Sequence, residues 1–221
     1  MKIKKKFSLI ETLAWKAQNA LEDSGEFGLL TYHIARMSRS AKYFNIPFDQ
    51  KELEEKLYRV GQNLTKQGRK QRKIRIILES DGKLYIHSQK LTAPPELPVK
   101  IDISQYRVKS SDIFLYHKTS KRRLFEHERK RLGKMGLFET IFLNEQGELT
   151  QGTITNLFID NGRGILKTPA LNCGLLPGTL RQYLLDCQAA REAILTPSDL
   201  ASAKRILVGN SLRGLLRAKL V

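Results

Sequence analysis

The sequence predicts a mixed α/β (α+β) fold in two domains, and three observations support this prediction. Strand and helix patterns alternate in the N-terminal part of the chain. Residues 91–99 (LTAPPELPV) contain three prolines, which remove backbone donors and prevent a helix, so we place a linker there. Beyond residue 138 strand patterns dominate. We therefore expect an N-terminal α/β domain at residues 1–95 and a larger C-terminal domain at residues 96–221.

The N-terminal domain is expected to begin with one strand and two helices. Residues 7–15 (FSLIETLAW) are apolar and rich in β-formers, which favours a buried strand. In residues 29–44 apolar side chains recur at helical spacing. A second helix is expected from Asp49, a good N-cap residue, to about residue 67, because Leu53 and Leu57 begin one apolar face.

A hairpin and a β-rich C-terminal domain complete the prediction. Residues 73–80 and 83–88 flank Asp81-Gly82, a pair suited to a tight type I′ turn. Beyond the linker we expect, in order, a charged helix at residues 119–134, strands and turns between residues 138 and 166, a helix after Pro177-Gly178, a short helix containing Asp199 and a final strand at residues 205–208.

Length and composition limit the classes of protein. With 221 residues, of which 41% are hydrophobic, the chain can form one or two cores, which excludes disordered and collagen-like proteins. No apolar run is long enough to cross a bilayer, so we expect a cytoplasmic protein without membrane contact. Two cysteines without C-x-x-C spacing and four histidines indicate neither a disulfide framework nor a metal site.

The formal net charge of +17 indicates affinity for anions. Charge alone leaves open whether the anion is a nucleic acid, a membrane surface or a small phosphorylated or carboxylated molecule. The Lys and Arg residues are scattered rather than gathered in one block, and no nucleic-acid-binding motif is present. We therefore expect a small-molecule substrate and no nucleic acid, while a binding protein without catalysis stays an alternative.

The most informative segment is residues 138–181, which contains GELTQGTITNLF and TPALNCGLLPGTLR. These stretches resemble T-E-G-x-x-x-N-h-F and T-P-x-L-x-x-G-h-L-P-G-x-h-R (h for apolar) of the class IV pyridoxal-phosphate aminotransferase family. The resemblance implies the class IV fold, with a small N-terminal α/β domain, a larger C-terminal domain with a barrel-like sheet, and the cofactor in the cleft between them. It also implies pyridoxal 5′-phosphate as cofactor and a homodimer.

Within that resemblance, a lysine and an arginine match residues that contact the cofactor. Tyr116-His117-Lys118-Thr119-Ser120 resembles the family's x-K-T-S, at the end of a strand just before a helix. Lys118 is therefore expected to form the Schiff base with the cofactor and, when free, to act as general base. His33-Ile34-Ala35-Arg36-Met37 resembles H-h-x-R-L, whose arginine holds the cofactor phosphate, so Arg36 is expected to bind it.

Two further segments match the family's phosphate-binding residues. LPGTLR (176–181) begins a helix, where unpaired backbone N–H groups and the helix dipole favour an anion. VGNSLRG (208–214) contains the N-S-L-R-G of the family's lyases. The expected cofactor-binding residues of these two segments are Leu176, Thr179, Leu180, Asn210 and Ser211.

One position departs from the family pattern. Where the family has a glutamate against the pyridine nitrogen of the cofactor, this chain has Gln151. A glutamate keeps that nitrogen protonated, whereas a neutral amide either donates to an unprotonated nitrogen or turns its oxygen toward a protonated one. A transaminase stabilises a carbanion at an unactivated carbon, so this change harms it more than a lyase whose product becomes aromatic.

The resemblance is closest to the aminodeoxychorismate lyases, including those fused to aminodeoxychorismate synthase, because IETLAW, HKTS and NSLRG match their motifs. It implies conversion of 4-amino-4-deoxychorismate to 4-aminobenzoate and pyruvate in folate synthesis, with a synthase as partner. Two alternatives stay open. One is an aminotransferase for D- or branched-chain amino acids, and the other is a weak or inactive relative that binds a phosphorylated ligand or nucleic acid.

Overall fold

The computed structural model describes residues 7–17, 25–162 and 164–221, which form two compact units. Unit 1 is Met1–Ala93 with Lys118–Ser120, and unit 2 is Pro94–His117 with Lys121–Val221. Each unit contains one β-sheet together with helices, which confirms the predicted mixed α/β fold. The linear boundary predicted at residue 95 did not include the return of Lys118–Ser120 to unit 1.

Unit 1 is an antiparallel sheet packed with two helices. Its elements are β1 (Leu9–Lys16), β2 (Glu26–Phe27), α1 (Leu30–Tyr43), α2 (Gln50–Lys66), β3 (Gln71–Leu78) and β4 (Leu84–Lys90). The strand order is β2-β1-β3-β4. Because alternate residues of a strand share a face, Glu11 lies on the same face of β1 as the buried Leu9 and Leu13. A carboxyl group is thereby placed in the apolar interior of unit 1.

The two helices of unit 1 match their predicted positions. Asp49 caps α2, since its side chain accepts hydrogen bonds from the N–H groups of Lys51 (2.9 Å) and Glu52 (3.3 Å). The buried face of α1 contains His33 and Arg36 besides its apolar residues. Polar side chains of α1 therefore enter the interior of the unit.

The hairpin of β3 and β4 has the predicted strands but not the predicted turn. The N–H of Gly82 donates to the carbonyl of Glu79 (3.0 Å), and the N–H of Glu79 donates to the carbonyl of Lys83 (2.9 Å). Gly82 has a φ of 91°, whereas Asp81 has no positive φ. A type I′ turn requires positive φ at both central residues, so that prediction was wrong. The chain uses a three-residue loop with glycine at its left-handed position.

The surroundings of Lys118 differ from the predicted strand end before a helix. Lys118 follows a 3₁₀ turn (Ile113–Leu115), and its carbonyl accepts a hydrogen bond from the N–H of Ile10 (2.8 Å). Thr119 then forms an isolated bridge to β1, and the next helix begins only at Arg123. This segment extends the unit 1 sheet instead of starting a helix, because β1 offers backbone groups for pairing there.

Unit 2, where it is described, is built on a seven-stranded sheet. Its elements are β5 (Val99–Val108), α3 (Arg123–Met135), β6 (Glu139–Asn144), β7 (Asn156–Asp160), β8 (Leu166–Pro169), α4 (Thr179–Asp186), β9 (Ala190–Ala193), α5 (Pro197–Ala201), β10 (Arg205–Asn210) and β11 (Gly214–Leu220). The strand order is β6-β5-β11-β10-β7-β8-β9. The strand predicted at residues 205–208 is therefore not the final one, because the chain turns back and forms β11.

Hydrogen bonds continue beyond both outer strands of this sheet. The N–H of Phe142 in β6 donates to the carbonyl of Gln151 (2.9 Å). The N–H of Leu149 donates to the carbonyl of Leu195, which follows β9 (2.7 Å). The two outer strands are thus connected through residues 148–151, which is the way a sheet begins to close into a barrel. Gln151 lies in this connecting segment.

The described residues contain neither a membrane-spanning helix nor a cluster of metal ligands. Among them, no helix combines the length and the apolar composition needed to span a bilayer. Within the same residues, no group of three or more His, Cys, Asp or Glu side chains is placed to hold a metal ion.

Candidate active site

Unit 1 contains a buried cluster of Glu11, His33 and Arg36. Glu11 lies on β1, and the other two residues lie one turn apart on α1. The carboxylate of Glu11 accepts hydrogen bonds from Nε (2.8 Å) and Nη2 (2.6 Å) of Arg36, and its Oε2 lies 2.7 Å from Nδ1 of His33. The three residues are buried. A bidentate ion pair of this kind fixes the orientation of the Arg36 guanidinium.

The charges of this cluster shift the pKa values of its members. Burial raises the pKa of Glu11, but the charge of Arg36 and the contact with His33 lower it from 4.5 to about 2. Burial lowers the pKa of His33, Glu11 opposes that shift, and the charges of Arg36 and Lys118 add to it. Lys118 therefore acts electrostatically on the cluster, so two residues predicted from separate motifs share one environment in unit 1.

Gln151 lies in unit 2 in the segment that follows β6, and it is 7% exposed. Its backbone forms an isolated bridge with Asn156. Its side-chain Oε1 accepts a hydrogen bond from the N–H of Leu176 (3.1 Å), and the carbonyl of Leu176 accepts one from Nδ2 of Asn156 (3.1 Å). The N–H of Leu176 thus holds the side chain of Gln151 in place, and contact of Leu176 with the cofactor stays a prediction.

The loop after β6 is organised by Glu139, the first residue of that strand. Its buried carboxylate accepts hydrogen bonds from the N–H (2.7 Å) and Oγ1 (2.6 Å) of Thr153, the N–H of Ile154 (3.0 Å) and Oγ1 of Thr155 (3.0 Å). Glycine is needed at position 152, directly before these donors, since a Cβ there would lie 2.4 Å from Cδ of Glu139. One carboxylate thus sets the conformation of the whole loop.

The start of α4 agrees with its predicted position. Gly178 is the N-cap, no side chain caps the helix, and its first turn contains no acidic residue. Gly178 approaches Asn156 so closely that a Cβ would lie 1.8 Å from Oδ1 of that residue. Thr179 is buried, and Leu180 packs on Gly209, where a Cβ would lie 3.0 Å from Cδ2 of the leucine. The first N–H groups of α4 and the positive end of its dipole suit a phosphate group.

The turn between β10 and β11 contains Asn210 and Ser211. Oδ1 of Asn210 accepts hydrogen bonds from the N–H groups of Leu212 (3.0 Å) and Arg213 (3.1 Å), while Nδ2 donates to the carbonyl of Ile154 (3.2 Å). Both ends of this amide therefore hold the turn and the loop after β6. Leu180, in the first turn of α4, packs on Gly209, the residue before Asn210, so the turn lies near the start of α4. Ser211 stays a predicted ligand there.

Sequence reasoning missed three residues that shape these regions: Glu11, Glu139 and Arg181. An acidic residue inside an otherwise apolar strand pattern is a signal that could have identified the two glutamates. Arg181 is almost completely buried, its Nη2 donates to the carbonyl of Pro169 (2.8 Å) and it also pairs with Glu192. It thereby holds α4 against β8 and β9, so this arginine of the LPGTLR motif belongs to the scaffold.

Comparison with known proteins shows what this arrangement is similar to. The sequence pattern of the family described as amino-transferase class IV matches residues 8–221. A crystal structure from Mesorhizobium loti, provisionally named an amino-acid aminotransferase, is 38% identical to this chain with a TM-score of 0.86. That match covers 98% of this chain and 100% of the other. The likeness therefore extends over both units.

Two lyases are also similar. A crystal structure from Legionella pneumophila, provisionally named a 4-amino-4-deoxychorismate lyase, has a TM-score of 0.84 at 21% identity, covering 96% of this chain and 82% of that one, which shows a shared fold. The aminodeoxychorismate lyase of Saccharomyces cerevisiae is 32% identical over 83 residues, 36% of this chain and 22% of that protein. This chain matches less than two fifths of the length of each curated lyase with which it aligns.

Proposed function

This chain belongs to the class IV aminotransferase family, and from that premise we propose that it is a pyridoxal-phosphate-dependent lyase. The proposed reaction converts 4-amino-4-deoxychorismate to 4-aminobenzoate and pyruvate, a step of folate synthesis. The observation that carries the choice of a lyase is Gln151, a neutral amide in the position where the family places a glutamate. The likeness of parts of the chain to aminodeoxychorismate lyases supports the same choice.

The residues present fit the cofactor. In unit 2 the start of α4 offers backbone N–H groups without a competing acidic side chain, and Gly178 keeps this backbone close to Asn156. Gln151 is buried, and its side chain is held from one end only. In unit 1 the cations of Arg36 and Lys118 both act on the Glu11 and His33 cluster. These are the donors and charges that an anionic, aromatic cofactor requires.

The proposed roles follow from this donor set. Lys118 supplies the amine that attaches the cofactor and, when free, moves the proton at the carbon that bears the substrate nitrogen. In unit 2 the first turn of α4, with Thr179 and Leu180, would hold the phosphate, and Leu176, Asn210 and Ser211 are the further proposed ligands of that unit. In unit 1 Arg36 is proposed to offer its guanidinium to a phosphate. When bound, pyridoxal phosphate supplies an electron sink for the bond that breaks.

A lyase tolerates a weak electron sink better than a transaminase does. Loss of pyruvate from 4-amino-4-deoxychorismate makes the ring aromatic, and this supplies driving force that the cofactor does not need to provide. Transamination has no such gain, so it depends on a protonated pyridine nitrogen. The amide of Gln151 carries no charge to hold that proton.

A class IV aminotransferase is the second candidate function. The observation in its favour is the 38% identity, over almost the whole of both chains, to the Mesorhizobium loti protein provisionally named an amino-acid aminotransferase. A third, weaker candidate is a relative that binds a phosphorylated ligand or nucleic acid without catalysis. The net charge of +17 is its only support, since one small anionic substrate does not require so much charge.

The proposal extends to the setting of the enzyme. We infer a cytoplasmic protein because no apolar run is long enough to cross a bilayer, and a small-molecule substrate because no nucleic-acid-binding motif is present. We infer a homodimer, and a synthase that delivers the substrate as partner, because the family resemblance implies both. Light scattering tests the dimer. Co-purification with a synthase from the same cells tests the partner.

The proposed function is tested by colour and by product. We expect purified protein to bind pyridoxal phosphate and turn yellow, and Lys118→Ala to lose the yellow absorbance. Lys109→Ala, which removes an exposed lysine, is the matched control and keeps it. The protein with cofactor should then release pyruvate and 4-aminobenzoate from 4-amino-4-deoxychorismate. Efficient transamination without these products supports the aminotransferase instead, and a colourless protein supports the binding protein.

A further inference from the structure

We propose that the side chain of Gln151 is locked with its Nε2 group toward the ligand, so that the site selects pyridoxal phosphate with an unprotonated ring nitrogen. This inference rests on the proposed function, because it requires that cofactor. It goes beyond the sequence, which leaves both orientations of the amide open.

The orientation of the amide follows from its partner. The N–H of Leu176 lies 3.1 Å from the end of the Gln151 side chain. A backbone N–H can only donate, and the NH₂ end of a glutamine can only donate as well. The atom that faces Leu176 is therefore Oε1, because only the oxygen of the amide can accept this hydrogen bond.

The partner itself is fixed by packing. The carbonyl of Leu176 is held by Nδ2 of Asn156 (3.1 Å), and Asn156 is in turn covered by Gly178, where no Cβ would fit. The backbone of Gln151 is tied to β6 through Phe142 (2.9 Å). Rotating the amide would break the Leu176 hydrogen bond and leave a buried N–H without its acceptor, at a cost of about 1–3 kcal/mol.

The other end of the amide is available to a ligand. Among the described residues, no hydrogen-bond acceptor pairs with Nε2 of Gln151, although the residue is only 7% exposed. Within the described part of the chain, Nε2 is not completely enclosed, so a small part of its surface is accessible. A side chain that is nine-tenths buried and has an unmatched donor at its accessible end is built to meet an acceptor.

The consequence for the cofactor is a matter of donors and acceptors. An unprotonated pyridine nitrogen is an acceptor and pairs with Nε2, whereas a protonated one would put one N–H against another. A glutamate held by the same Leu176 N–H would present an oxygen and a negative charge instead, and would favour the protonated ring. Gln151 thus makes the unprotonated ring nitrogen the preferred form. It does more than weaken the preference for the protonated form that a glutamate would impose.

The test uses pyridoxal phosphate labelled with ¹⁵N in the ring, bound to the intact protein. We expect the ¹⁵N resonance of the wild type at the position of an unprotonated nitrogen across neutral pH. In Gln151→Glu it should move to the protonated position. Gln105→Glu, which adds the same charge at an exposed residue of β5, is the matched control and should resemble the wild type.

A binding experiment gives an independent readout. We expect the wild type to bind the analogue with a ring CH in place of the nitrogen about tenfold more weakly than pyridoxal phosphate, because one hydrogen bond is lost. Gln151→Met should bind the two equally. A protonated nitrogen in the wild type, or equal binding of the analogue, overturns the inference while leaving the proposed function intact. If the wild type binds no pyridoxal phosphate, the proposed function itself fails.

Discussion

Glu11 and Glu139 are both buried carboxylates on strands, but the two units satisfy them in different ways. Glu11 in unit 1 pairs with the charge of Arg36 and with His33. Glu139 in unit 2 accepts hydrogen bonds from neutral N–H and O–H groups of one loop. The Glu11 carboxylate therefore determines the electrostatic environment of its neighbours, and the Glu139 carboxylate determines the conformation of a loop.

This difference indicates a separate task for each unit. The Glu11 cluster fixes Arg36 and shares its surroundings with Lys118, so it governs charge near the proposed catalytic amine. The carboxylate of Glu139 binds residues 153–155 of the loop after β6, which follow Gln151 closely in the chain. It thereby fixes the backbone that leads to β7.

Glu11→Gln should have the largest effect. It removes the charge that compensates buried Arg36, and breaking a buried ion pair from one side costs about 3–5 kcal/mol. We expect the free energy of unfolding of unit 1, measured by urea denaturation, to fall by that amount. A loss below about 1 kcal/mol would show that Arg36 does not depend on Glu11.

Acid should weaken unit 1 through the same carboxylate. The pKa of Glu11 is about 2 in the fold against 4.5 ordinarily, so its stabilisation is complete above pH 4.5 and is lost as the pH falls toward 2. At about 1.4 kcal/mol per unit this is on the order of 3 kcal/mol. The lowered pKa of His33 acts in the same direction, beginning below its ordinary value of 6.5.

The check is the free energy of unfolding from neutral pH down to acid, measured for the wild type and for Glu11→Gln. The variant should lose stability less steeply than the wild type below pH 4.5, because only the contribution of Glu11 is removed while other carboxyl groups with a lowered pKa, such as Asp81, keep theirs. Parallel curves for the two proteins would contradict the assignment of this dependence to Glu11.

Glu139→Gln should have a smaller effect, because no buried charge is left alone. The amide can still accept at one end, but at its NH₂ end the N–H of Ile154 loses its acceptor, while the hydroxyl of Thr155 can turn to accept from the NH₂ group. We expect a loss of about 2 kcal/mol in the free energy of unfolding of unit 2. A lower affinity for the cofactor in the same variant would show that the loop shapes the site. An unchanged free energy of unfolding would contradict the prediction and show that water replaces the carboxylate.

Glu55→Gln should have the smallest effect. Glu55 pairs with Arg59 on α2 at 3.9 Å, and both side chains are largely exposed. Exposed pairs of this spacing contribute about 0.3–0.5 kcal/mol at most. We expect no change beyond that in the same urea experiment. A loss as large as that of Glu11→Gln would mean that charge rather than burial decides the cost.

Much of the fold could be predicted because its signals are local. The Asp49 cap, the helix after Gly178 and the short helix at Asp199 lie where the sequence places them, since capping groups act within one turn. β5 was not predicted because polar residues interrupt its apolar pattern, and it shifts register after Ile103. β11 was not predicted either, since its pairing with β5 depends on residues far away in the chain.

The family, the mixed α/β class and the candidate residues Lys118 and Gln151 follow from residue type and spacing in the sequence. That Leu176 orients Gln151, that Glu11 fixes Arg36 and that Asn210 holds a turn is visible only in the three-dimensional contacts. The hydrogen bond to Gln151 joins residues 25 positions apart in the chain. A contact between distant residues leaves no trace in local patterns, so a sequence can name a side chain without showing which end of it faces the ligand.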